Sequence, residues 1–195
     1  MFPEPFPAGA SFVVLVVGRP ASGKSTISAT ISDRWDLPLV SKDELKEVLF
    51  DWLGVEDRAW SVRLGRAAFA LLDHVIELQL RTGRPFVVDA AYSAEFENEK
   101  FQKWQARFGF TAVQIHCTAS SQELLRRYRQ RAVDGTRHPG HGDAEAFQEF
   151  RDSLADGRAE TLSLPGPILQ YDSEQPDSAN TLLAELTRLL PLSAR

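Results

Sequence analysis

The stretch Gly18-Arg19-Pro20-Ala21-Ser22-Gly23-Lys24-Ser25-Thr26 has the spacing GxxxxGK[ST], and no other part of the sequence restricts the fold as much. Such a loop works only between a strand and a helix. Its glycines let backbone N–H groups turn inward around a β-phosphate, its lysine reaches the β- and γ-oxygens, and its hydroxyl suits Mg²⁺. The flanks agree with this. Phe12-Val13-Val14-Leu15-Val16-Val17 is a continuous apolar run, the pattern of a parallel strand buried on both faces. Behind the loop, Ile27, Ile31 and Trp35 recur at helical spacing, so the segment from Gly23 should open a helix with its dipole aimed at phosphates. The expected nucleotide-binding residues are Gly18, Arg19, Pro20, Ala21, Ser22, Gly23, Lys24, Ser25 and Thr26, with Lys24 on the phosphates and Ser25 on the metal.

With 195 residues, 43% of them hydrophobic, the chain can build one sizeable α/β core, and a single domain over residues 1–195 is expected. A formal charge of −5 argues against coating nucleic acid by bulk charge, so any polyanion must be met locally. The lone Cys117 cannot close an internal disulfide, which fits a reducing cytoplasm and a thiol packed in a strand. The proline-rich start, residues 1–7, lacks the basic region of a signal peptide and reads as an irregular lead-in. No apolar run approaches the length of a membrane span.

In order along the chain, Leu37–Val40 predicts a second strand, and the polar cluster Ser41-Lys42-Asp43-Glu44 opens a helix carrying Leu45, Val48, Leu49 and Trp52 to a stop at Gly54. A longer helix follows, with Leu64, Ala68, Leu71, Leu72, Val75 and Ile76 on one face and Gly83 and Pro85 closing it. Phe86–Asp89 predicts a third strand ending in an acid, and residues 94–108 a helix anchored by Phe96, Trp104 and Phe108. Val113–Cys117 gives a fourth strand, followed by a helix dense in Arg126, Arg127, Arg129 and Arg131. Residues 134–142 are too rich in Gly and Pro for regular structure and read as a mobile loop over a site, part of a lid spanning about 127–142. A helix over 143–154, a fifth strand at Ile168–Tyr171 and a helix over 178–190 complete the alternation. The expected fold is a three-layer α/β/α sandwich around a five-stranded parallel sheet, nucleotide kinase-like, with ligands at the strands' carboxyl ends.

No Asn-Lys-x-Asp or Leu-Ser-Gly-Gly-Gln segment occurs, which weighs against a GTPase or a transporter-type ATPase. The small size and the arginines after the fourth strand fit a kinase in which Lys24, Mg²⁺ and lid arginines stabilise the transferring phosphoryl group. The order of elements over residues 12–172 resembles bacterial P-loop kinases, a group that includes the kinase domain of polynucleotide 5′-hydroxyl kinases, chloramphenicol phosphotransferase and zeta toxins. That resemblance implies ATP as donor, Asp43 as general base, and Lys46 as the basic residue that holds the acceptor, where relatives usually have Arg. It implies Asp89 as a Mg²⁺-orienting acid, in a segment where Ala91 stands at a common Asn position, and Arg127 and Arg131 as the lid pair. Arg137-His138-Pro139-Gly140-His141 and the stretch from Gly157-Arg158 to Pro165-Gly166-Pro167 resemble a narrower set of uncharacterised bacterial kinases, which supply no substrate.

Plainer readings stand beside these. Asp43 is either the base or a helix cap, and Asp89 either a metal acid or a strand-end acid. Only residues three or four apart share a helix face, so Arg127 and Arg131 go together while Arg126 and Arg129 are solvated or paired with acids. Arg137 and His138 are expected to touch the acceptor; His138 and His141 make a thin case for a metal and are expected instead to touch substrate or shape the loop. Trp52, Trp60 and Phe69 belong either to the core or to an acceptor pocket, the two tryptophans being favoured for the pocket because they flank Gly54. The expected partners are ATP and a hydroxyl-bearing small molecule, with a nucleic-acid 5′ end or a non-kinase nucleotide-binding module as alternatives.

Overall fold

In the computed structural model the residues described are 11–135, 137–157 and 160–191. The lead-in expected over residues 1–7, Thr136 of the Gly- and Pro-rich stretch, and Arg158 lie outside them. Strands and helices alternate as β1 (Phe12–Gly18), α1 (Lys24–Trp35), β2 (Leu39–Ser41), α2 (Lys42–Leu53), α3 (Arg58–Thr82), β3 (Phe86–Asp89), α4 (Ala94–Phe108), β4 (Thr111–Thr118), α5 (Ser121–Val133), α6 (Asp143–Ser153), β5 (Ile168–Asp172) and α7 (Ser178–Leu189). The sheet is parallel throughout, in the order β2-β3-β1-β4-β5, so β1 sits at its centre.

Every residue of β1 is buried because the strand is covered on both faces. Val13, Leu15 and Val17 point to the side where α3 and α4 bring Leu72, Ile76, Phe101 and Trp104. Phe12, Val14 and Val16 point to the other side, against Ile27 and Ile31 of α1 and Leu182 and Leu186 of α7. Period-two alternation thus makes β1 the shared wall of two cores, giving the three-layer sandwich expected from the sequence. Phe101 is fully buried, and Phe101→Ala should cost about 3–5 kcal/mol in lost contacts and cavity.

Two helix faces differ from expectation. On α3 the buried stripe is Leu64, Ala68, Leu72, Ile76 and Leu80, while Leu71 is 42% exposed because it lies about 100° around the helix from Leu72. On α4 the anchors are Phe101 and Trp104, and Phe96 is 75% exposed, about 140° around from Phe101. The segment 134–142 contains a short 3-10 turn at Pro139–His141, seated on α2 and α3: Ser61 Oγ donates to the Gly140 carbonyl at 2.8 Å, and Gly140 packs flat against the Phe50 ring. No described helix is long and apolar enough to cross a membrane.

Candidate active site

The loop after β1 closes tightly for reasons readable in its backbone. Gly18 has φ 144°, and a Cβ there would sit 2.3 Å from the Cys117 carbonyl oxygen, so only glycine lets β1 and β4 stay paired at their ends. Gly23 has φ 91° and Ala21 φ 67°, both left-handed. Ser22 N and Lys24 Nζ both donate to the Arg19 carbonyl, at 3.2 and 2.8 Å. The first amides of α1 therefore face a concave space unpaired within the helix, ready for an anion. A cavity of about 630 Å³ opens there, lined on this side by Pro20, Ala21, Gly23, Lys24, Ser25 and Thr26. Burial, outweighing nearby Asp89 and Asp43, lowers the pKa of Lys24. Gly18 and Ser22 shape the loop without lining the cavity. Arg19 turns its side chain away, to the Ser153 carbonyl at 2.7 Å, to Asp156 at 2.8 Å and to Glu160, which lies 3.3 Å from His116.

Asp89, at the carboxyl end of β3, is buried on the cavity wall beside Ser25, and Ser28 Oγ lies 3.4 Å from its Oδ2. Burial raises its pKa, against the pull of Lys24 and the Ser25 hydroxyl. A single carboxylate beside a hydroxyl and a phosphate cradle suits Mg²⁺, which keeps several waters and takes one or two protein oxygens. The described residues hold no cluster of three acids, histidines or cysteines that could cage a metal by themselves.

The opposite wall comes from α2, α3 and the segment before α6. Ser41 is the N-cap of α2, its Oγ accepting from Glu44 N at 3.4 Å, so Asp43 is not the cap and its carboxylate is left to the cavity. Burial works to raise the Asp43 pKa, but the cations Lys42 at 3.1 Å and Arg137 at 2.7 Å hold it well below the usual carboxylate range. Lys46 is buried, donates to Ser61 Oγ at 2.9 Å, and lies 5.1 Å from the Phe50 ring centre. Burial, reinforced by Lys42, Arg58 and Arg137, pushes its ammonium down to about 8.

Over the top lies α5. Arg127 donates to Ser173 Oγ at 2.7 Å and to the Ala21 carbonyl at 3.4 Å, tying the helix to the phosphate loop. Arg131 Nε lies 2.5 Å from Asp143 Oδ2, with its guanidinium 4.2 Å from the Tyr128 ring centre. Both line the cavity. Arg126 lies off the cavity, paired on the surface with Glu123, to which Arg127 Nε also donates at 2.7 Å, and Arg129 lies 4.4 Å from the Phe147 ring centre. One cavity thus collects Lys24, Ser25, Asp43, Lys46, Asp89, Arg127, Arg131 and Arg137.

His138 is not brought there: it stacks on Phe50 at 5.3 Å and accepts from Gly140 N through Nδ1. Nor are the tryptophans. Trp52 is 85% exposed, and Trp60 Nε1 donates to the Gly54 carbonyl, whereas Phe69 does line the cavity. His141, expected to touch substrate or shape the loop, lines it too, and so does Asp143, which sequence reasoning passed over.

The AAA domain family AAA_33 matches residues 13–156. The chain is 33% identical to a candidate kinase from Chloroflexus aurantiacus, with a TM-score of 0.78 over 92% of this chain and 99% of that one. A sugar kinase from a Janibacter species is similar at 14% identity and TM-score 0.55, covering 91% of this chain and 95% of that one. A gluconokinase from Sinorhizobium meliloti is similar at 17% identity and TM-score 0.51, covering 91% and 93%. Those two likenesses are of fold alone, and no curated protein matches the chain. With the family match spanning most of the sequence and one relative covered almost end to end, the chain belongs to the AAA_33 family, AAA domains of the P-loop kinase-like fold.

Proposed function

We propose that this protein is an ATP- and Mg²⁺-dependent phosphotransferase that moves the γ-phosphoryl group to a hydroxyl of a small molecule. The observation that carries the reading is one cavity in which the ionised Asp43 faces the phosphate loop with Lys24 and the arginines of α5. In the step, the acceptor oxygen forms a bond to the γ-phosphorus, the bond from that phosphorus to the β,γ-bridging oxygen breaks, and ADP leaves. Asp43 orients the acceptor hydroxyl and takes its proton. Lys24, Arg127 and Arg131 stabilise the charge that spreads over the transferring oxygens. Ser25 and Asp89 would hold Mg²⁺ beside the phosphates, where it would neutralise part of that charge.

Lys46 and Arg137 supply the cationic wall against which the acceptor rests, with Phe69 as its apolar side. Segment 127–142 acts as the lid of a single domain, excluding water when both substrates are in place. The buried thiol of Cys117, pushed up to about 12 by burial, takes no part and fits a cytoplasmic protein. The gluconokinase and sugar kinase folds favour a small acceptor over a nucleic-acid end, as does the net charge of −5. The test is ADP formation and label transfer from γ-labelled ATP across a library of sugars, sugar acids, nucleosides, antibiotics and 5′-hydroxyl oligonucleotides. Acceptor-dependent label transfer to a small molecule is expected. Tight nucleotide binding without stimulation by any acceptor would sink the kinase reading in favour of a nucleotide-binding module.

A further inference from the structure

Four side chains outside the phosphate loop form one hydrogen-bonded chain along the cavity wall. Asp43 and Glu47 stand one turn apart on α2, and Arg137 and His141 stand four residues apart on the segment seated against it. Arg137 Nη2 donates to Asp43 Oδ2 at 2.7 Å and lies 3.1 Å from His141 Nδ1, while His141 Nε2 lies 2.9 Å from Glu47 Oε1. A guanidinium can only donate, so Nδ1 accepts, and the one proton of the neutral imidazole is on Nε2, donated to Glu47. The tautomer is fixed by its neighbours. Burial, with Arg137 alongside, pushes the His141 imidazole down to about 3, which keeps it in that neutral form. The remaining edge of Arg137 faces Asp143, with Nε 3.3 Å from Oδ2.

The arrangement answers a problem that any base in this cavity faces. A bound triphosphate and Asp89 place negative charge around Asp43, which drives a carboxylate toward protonation and lets it swing. A cation pinned in one position opposes both effects, but an arginine side chain is pinned only if its own donors are held. His141 holds one donor of Arg137, and Glu47 holds His141.

We propose that Glu47 and His141 are positioning residues, which through Arg137 keep the Asp43 carboxylate oriented and ionised for the acceptor hydroxyl. The inference rests on the reading of Asp43 as the base.

The test uses the full chain with MgATP and water as the acceptor, so no unidentified compound is needed. Hydrolysis is measured for the wild type, Glu47→Ala, Glu47→Gln and Asp43→Asn, together with the ¹⁵N signals of the His141 ring. The Glu47 side chain is 35% exposed, so its variants should fold. Glu47→Ala should lower kcat on the order of tenfold, less than the 10²–10⁴ of a positioned base itself, with the KM for ATP unchanged and the fixed Nε2–H tautomer lost. Glu47→Gln keeps an oxygen that accepts from Nε2–H and should restore both. Full hydrolysis in Glu47→Ala alongside a defective Asp43→Asn overturns the positioning role and leaves the base standing. Full hydrolysis in Asp43→Asn overturns the base assignment and the positioning role with it.

Discussion

Lys24 Nζ donates to the carbonyl oxygen of Arg19 at 2.8 Å, so the cation a triphosphate needs is stored against the loop's own backbone. Burial of that ammonium outweighs its attraction to Asp89 and Asp43, which makes it a cost to the folded state. Lys24→Ala should therefore abolish phosphoryl transfer while the melting temperature holds or rises. Ser25→Ala should lose transfer in the same way. Radiolabel transfer and a thermal melt on each variant check this, and wild-type turnover by folded Lys24→Ala would remove the loop's assigned role.

The arginines of α5 divide by helix face. Arg127→Ala or Arg131→Ala should lower kcat on the order of 10²-fold, with a smaller effect on the KM for ATP, as expected of groups that act mainly in the transition state. Arg126→Ala and Arg129→Ala should leave kcat near wild type. Arg131→Ala should also melt earlier than Arg127→Ala, since it takes from the buried Asp143 carboxylate the nearer of its two arginines and leaves only Arg137 at 3.3 Å. Steady-state kinetics on the four variants decides it; equal losses across all four would mean that the cavity-facing pair is misassigned.

Asp43 and Ser41 separate chemistry from capping. Asp43→Asn should collapse acceptor-dependent kcat by 10²-fold or more, by order of magnitude, and lower the melting temperature as well, because it removes the charge that Lys42 and Arg137 pair with. Ser41→Ala should cost about 1 kcal/mol of stability and spare turnover, because its hydroxyl caps α2. If Asp43→Asn retains full acceptor-dependent activity, Asp89 becomes the better candidate for the base.

Lys46 gives a pH signature. Its folded pKa of about 8 lies below the ordinary 10.5, so between those values the unfolded chain holds a proton that the native state has released. Stability should therefore rise with pH across that window, and Lys46→Met should flatten the rise. Over the same range Lys46 loses its charge, so the KM for the acceptor should climb above pH about 8 while that for ATP does not. Melting temperatures and acceptor kinetics from pH 7 to 10 test both halves, and an unchanged pH profile in Lys46→Met removes the lysine from the acceptor wall.

The phosphate loop, the five strands and the pairing of Arg127 with Arg131 were legible because each rests on a local rule of spacing or burial. Phe96 misled because hydrophobicity alone does not say which side of α4 meets the sheet; Phe101, one turn and more further on, took the core position. Trp52 misled similarly, since a break at Gly54 marks where α2 ends and not where a cavity lies. His141 and Asp143 entered the cavity through contacts with residues far off in sequence, Glu47 and Arg131, which no local pattern announces.

The seam between Gly140 and Phe50 bears on how acceptor choice can change over evolution. A methyl group at Gly140 would fall 2.5 Å from the ring, so the position accepts no side chain while Phe50 stays aromatic. Phe50 in turn stacks with His138 and meets the edge of His141, so these residues are locked to one another and single replacements meet a barrier. Lineages that recruit this scaffold for a new acceptor should vary Phe69 and Ala91, which line the same cavity outside the seam, and inherit the seam as one block.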